Sequence, residues 1–216
     1  MRGRPRRTAV RRGVAACIGR LLVVVAAALG LAGPAAGQLR GVEVRLDNDQ
    51  FAFTRGDDER WYTSGGYFAF AFQPAARAPD ARLAAAWCTY LIACDPGSRM
   101  LRVVSIGHTI HTPAATGGRT PQPYDRPYAA TLHGGLATIV QGTRTRQTLE
   151  LQLGVVGPAA LGEEVQNTLH TLIGQARAQG WGYQVRAQPL VELGWSRLSR
   201  HGSGAGGWDT VLRTSV

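Results

Sequence analysis

The chain has 216 residues, 24 of them basic and 14 acidic, for a formal charge of +10 at neutral pH. Seven of the basic residues and none of the acidic ones precede position 38, which leaves 17 basic against 14 acidic residues, or +3, on the remainder. With the excess confined to the N-terminus and no Lys/Arg stripe interleaved with aromatics behind it, nucleic-acid binding is excluded as a class.

The N-terminus reads as an export signal. Arg2, Arg4, Arg6, Arg7, Arg11, Arg12 and Arg20 precede an uncharged run from Leu21 to Ala32, and Pro34, Ala35, Ala36 and Gly37 supply small residues for cleavage after Gly37. The expected division is a signal peptide over 1–37 and one β-barrel domain over 38–216; an uncleaved signal anchor is the competing reading. Cys17 leaves with the signal. Cys88 and Cys94 remain close together in an oxidising compartment, where a disulfide closing a short loop is expected, against two independent buried thiols.

Beyond Gly37 no apolar run reaches the roughly 18 residues that a membrane-spanning helix needs. Spanning therefore falls to strands. Val42, Val44 and Leu46 alternate with Glu43, Arg45 and Asp47, and Phe68, Phe70 and Phe72 with Tyr67, Ala69 and Ala71. Val104, Ile106 and Ile110 face away from Ser105, Gly107, Thr109 and His111; Tyr128, Ala130, Leu132 and Leu136 alternate with Thr131, His133 and Gly135. Leu149, Leu151, Leu153 and Val155 stand against Glu150, Gln152 and Gly154, and a weaker stretch runs through Val191, Leu193 and Trp195. One apolar and one polar face per strand suits an antiparallel outer-membrane β-barrel with a wet lumen better than a dry sandwich, although a soluble sheet with one wet face also alternates. Between Glu163 and about Ala176 the rhythm changes: Val165, Leu169, Leu172 and Ile173 recur at helical spacing, and Gln166 and His170 fall side by side on one face of the predicted helix.

Several polar residues could carry chemistry. Asn48 and Asp49 end the first strand, where neighbouring carboxamide and carboxylate oxygens would suit calcium; an ordinary Asx turn is the plainer reading. Thr63 precedes a glycine turn and is either an active-site hydroxyl or a turn cap. His170 is the candidate base that takes a proton from water, against the plainer reading of a surface histidine. His108, His111 and His133 with Asp49 form an alternative transition-metal set, disfavoured because no pair has the i, i+4 helix spacing. No G-x-S-x-G elbow is present.

These segments resemble the lipid A 3′-O-deacylase family of outer-membrane β-barrels. The resemblance is carried by Asn48-Asp49, Trp61-Tyr62-Thr63-Ser64-Gly65, His111-Thr112-Pro113, Asp125-Arg126-Pro127-Tyr128-Ala129, and Gly154-Val155-Val156-Gly157-Pro158 leading to Glu164-Val165-Gln166-Asn167 and His170, then Gly180-Trp181 and Gln184. It implies a calcium-dependent esterase in the bacterial outer membrane that removes the 3′-linked acyloxyacyl group of lipid A. Asn48, Asp49, Thr63, Gln166 and His170 match the family's active-site residues; Asn48 and Asp49 would hold calcium, and His170 would deprotonate the attacking water. The partners implied are lipopolysaccharide and outer-membrane lipids. Arg119 and Arg126, by residue type and loop position, are candidates for the lipid A phosphates.

Two departures stand out: Ala130 occupies a position that is usually glycine-like, and the chain stops at Val216 without an aromatic-ended closing strand. A partial sheet is therefore expected, from a fragment or from loss of closing strands, with a non-catalytic pore or an inactive relative as alternative functions. The central expectation is that a lumen-facing Asn-Asp pair meets a helix-mounted imidazole at a bound cation.

Overall fold

The computed structural model describes residues 37–48, 63–74, 82, 85–86, 88, 94–95, 97–121, 123–202 and 207–216. The expected signal up to residue 36, Asp49 and Trp61-Tyr62 lie outside the described residues.

Seven strands form one sheet in strict sequence order, each antiparallel to its neighbour: β1 Gln38–Asn48, β2 Ser64–Gln73, β3 Arg99–His111, β4 Ala129–Gln141, β5 Thr145–Val156, β6 Gln188–His201 and β7 Trp208–Ser215. No described helix is long and apolar enough to cross a membrane. Among the described residues β1 and β7 are the sheet's two edges.

The register turns the alternation of single strands into two continuous faces. Val44, Phe68, Ile106, Gly134, Leu153 and Val191 stand opposite one another across six strands, as do Val42, Phe70, Val104, Leu136, Leu151 and Leu193. Phe68, Leu136, Leu151, Leu153, Val191 and Leu193 are exposed on this face. The other face carries the row Glu43, Ala69, Ser105, Gly135, Gln152 and Glu192, in which Ala69 and Ser105 are buried. An exposed apolar face backed by a polar one of small residues is the arrangement of an outer-membrane barrel wall, lipid outside and lumen inside. Val140 and Ala130, near opposite ends of β4, are ten residues apart; at about 3.3 Å per residue and a tilt near 40° the outward face is about 25 Å tall, which matches a lipid-facing band.

The expected helix is present as α1, Gly162–Leu172, after a 3-10 turn at Pro158–Ala160. It ends four residues before Ala176. The cause is Gly174, whose φ of 74° lets the Gln175 N–H turn back onto the His170 carbonyl at 2.7 Å, a Schellman-type stop.

At the rim remote from α1, Cys88 and Cys94 are joined by a disulfide. The pair packs with Met100, Leu149 and Trp195 around buried Val140. Next to it, one oxygen of Asp95 accepts the N–H groups of Arg144 and Thr145, at 2.9 and 3.1 Å, and the Thr145 hydroxyl at 3.2 Å. These donors, the Arg144 N–H foremost, hold the Asp95 carboxyl below the usual carboxylate range. Its contribution is therefore present above the ordinary carboxylate pKa and lost as pH falls through the lower folded value. Asp95→Ala should cost about 1 kcal/mol at neutral pH, discounted for the site's exposure to water, and nothing once the carboxyl is protonated in both states. Urea unfolding of the detergent-solubilised protein at neutral and strongly acidic pH measures both values.

Candidate functional site

The antiparallel register brings the sequence candidates to one rim. Asn48 at the end of β1 pairs with Ser64, Ser64 with Ile110, and Ile110 with Ala130. The Gly157 N–H continues this row by donating to the Ala130 carbonyl at 2.9 Å. Thr63, the loop between β3 and β4, and the whole segment from the end of β5 to the start of β6 therefore border the same end of the sheet.

That segment closes over the outward face. Ile110, Tyr128, Ala130, Ala160, Ala178 and Trp181 form a buried cluster, with Leu132 and Val155 packed against it. The Trp181 and Tyr128 rings lie 4.9 Å apart at 52°. Tyr128 donates its hydroxyl to the Thr116 carbonyl, and burial pushes that hydroxyl above the ordinary phenol range. Gly162 must be glycine, because a Cβ there would run into both the Trp181 ring and Ala130. The helix does not face the lumen: α1 lies against the row containing Ala130, on the apolar side of the wall.

Three side chains on α1 hold the returning chain. Gln166 is buried, and its Oε1 accepts the Trp181 indole N–H at 2.8 Å. Asn167, also buried, grips Ala178 at both ends of its amide, accepting the N–H at 2.8 Å and donating to the carbonyl at 3.2 Å. His170, half-buried, places Nδ1 2.6 Å from the Ala176 carbonyl. A carbonyl only accepts, so Nδ1 carries a proton, and in the neutral ring Nε2 is left as a lone-pair base.

Thr63 serves as a cap: its hydroxyl oxygen accepts the Thr112 N–H at 3.0 Å and pairs with the Thr112 hydroxyl at 2.9 Å. Arg126 donates Nε to the Thr112 carbonyl. Arg119 donates Nε to Gln179 at 2.6 Å, which ties the β3–β4 loop to the segment behind α1. Both arginines thus belong to the β3–β4 loop at this rim. The three strand histidines do not share a face, which removes them as one metal set. His108 lies in the outward row with Leu132 and Val155 and donates Nε2 to the Ala160 carbonyl at 2.8 Å, whereas His133 lies in the inward row over Gly107.

No three His, Cys, Asp or Glu side chains gather as a metal site among the described residues. β1 ends at Asn48, beside the helix-bearing rim.

The sequence profile of the outer membrane protein LpxR matches residues 19–216. The chain belongs to the LpxR family. It is an outer-membrane protein. The solved structure of LpxR from Salmonella typhimurium aligns with a TM-score of 0.52 and 21% sequence identity, over 72% of this chain and 48% of that one. The fold is thus shared, and this LpxR-family chain spans about half the length of that structure. No curated protein matches the chain.

Asn167 and Trp181 were not singled out from sequence as site residues, yet they fix the geometry around His170. Removing the Asn167 amide leaves both backbone groups of Ala178 without their partner, so Asn167→Ala should loosen the return segment by about 2 kcal/mol. Hydrogen exchange should show it as faster exchange at Ala178 and its neighbours, with β4 and β5 unchanged.

Proposed function

We propose that this protein hydrolyses the ester linking the 3′-acyloxyacyl group to lipid A, with His170 as the base that activates water. The observation that carries the reading is the Nδ1 hydrogen bond to Ala176, which leaves Nε2 as the proton acceptor at a rim bordered by lipid. Membership of the LpxR family and the location in the outer membrane support lipid A as the substrate class.

In this mechanism Nε2 takes a proton from water as the water oxygen attacks the ester carbonyl. The tetrahedral carbon then expels the sugar alkoxide, the C–O bond breaks, and the imidazolium returns the proton to that alkoxide. A free acyloxyacyl acid and the 3′-deacylated lipid leave. Gln166 acts through Trp181 as a positioning residue, keeping the return segment, and with it the Ala176 carbonyl, in place. Asn48 and Asp49 would hold calcium, whose chemistry when bound is to polarise the ester carbonyl. Thr63 is assigned to the same site through its place beside Thr112, and Arg119 and Arg126 to the lipid A phosphates, for which guanidinium suits bidentate contact.

His170→Ala should lower the release of the acyloxyacyl acid by about 10²–10⁴-fold, with the fold intact. Chelation with EGTA should abolish release, and calcium but not zinc should restore it. Mass spectrometry of lipid A from outer membranes containing each protein reads the result; deacylation that persists in the His170 variant removes it as the base.

A further inference from the structure

An amphipathic helix packed on a protein surface ordinarily buries its apolar stripe. α1 does the reverse. Its wall-facing side chains are Gln166 and Asn167, both at least 96% buried, whereas Val165, Leu169, Leu172 and Ile173 at its end are exposed at 37, 45, 75 and 62%. At 100° per residue these four fall within about one third of the helix circumference. Glu164, Thr168 and Thr171, all exposed, make a third, polar flank. The helix thus has three surfaces: one hydrogen-bonded to its own return segment, one apolar, one polar.

We propose that the Val165, Leu169, Leu172 and Ile173 stripe is immersed among the acyl chains of the outer membrane, so that α1 is a half-submerged helix at the lipid boundary. The occupant follows from continuity with the barrel wall. α1 is seated through Gly162 on Ala130, at the top of the outward face that carries exposed Leu136, Leu151 and Leu153. That face is the lipid-contacting one of an outer-membrane sheet, so a helix seated on it turns its free flank into the same medium. An exposed apolar stripe beside a polar flank is what a helix lying in the membrane interface presents. The proposal does not rest on ester hydrolysis. It places Leu169, the sequence neighbour of His170, and Leu172 on the lipid side of the helix.

The test uses the full chain with Leu172→Cys or Leu169→Cys carrying an environment-sensitive NBD label, reconstituted into dioleoylphosphatidylcholine vesicles. Tyr124→Cys, fully exposed in the β3–β4 loop, is the control. The labels at 169 and 172 should emit to the blue of the control and lose about half their intensity when the lipids carry brominated acyl chains. Emission equal to the control, with no quenching, overturns the proposal. In intact cells, a membrane-impermeant maleimide should label position 124 and spare 172 until detergent strips the lipid. Protection in cells without quenching in vesicles would also overturn it, pointing to a protein cover.

Discussion

A chain that leaves a β-sheet on its lipid-facing side has to satisfy its own backbone, because the surrounding acyl chains offer no hydrogen bonds. The segment between β5 and β6 meets this constraint, and the like one for a buried indole N–H, through three side chains of α1. Asn167 takes both polar groups of Ala178, His170 takes the Ala176 carbonyl, and Gln166 takes the Trp181 indole. The polar side of the helix is therefore buried by necessity, and its apolar side is displaced outward to where lipid can solvate it. Inverted amphipathicity, the tautomer of His170 and the seat of Trp181 are consequences of one requirement.

Much of the sheet was legible because each strand with one wet and one greasy face repeats every two residues. The six alternating stretches all became strands, and the register then joined their apolar members into rows. β7 was not legible: adjacent Val211 and Leu212 break the alternation, so only pairing with β6 reveals the strand. α1 was legible from its period but not its orientation. Periodicity shows that a helix has two sides without saying which one meets protein, and a stripe of Val165, Leu169, Leu172 and Ile173 in water-soluble proteins would face the core. The helix end was misplaced because Gly174 acts through backbone geometry, which the apolar pattern does not register.

The candidate site divides in the same way. Gln166 and His170 share a face by spacing alone, so the sequence could pair them. Asn167 works on Ala178, eleven residues away across a turn, and no local rule links the two. The histidines of β3 and β4 look equivalent in sequence; parity separates them, since His108 is even-numbered in its strand with Ile106 and Ile110, whereas His133 pairs with Gly107 on the inward face. Polar residue type does not by itself mark the inner face: Gln166 and Asn167 are buried on the outer one, against the chain's own return segment.

The entry to α1 shows how the helix is held at a defined height on the wall. Leu161 has a φ of 64°, the single positive value among the described non-glycine residues. A left-handed leucine costs on the order of 1–2 kcal/mol, and it persists only where the surroundings determine the backbone. Here they do so on both sides. Upstream, Gly157 is pinned to Ala130, and the Ala160 carbonyl is held by His108. Downstream, Gly162 sits where no side chain fits between Trp181 and Ala130. The strained residue is thus the corner at which the chain turns from following the strand to lying across it. The strained turn at Leu161 adjoins the close contact of Gly162 with Ala130, and together they place the start of α1, and with it His170 two turns further on, relative to the sheet.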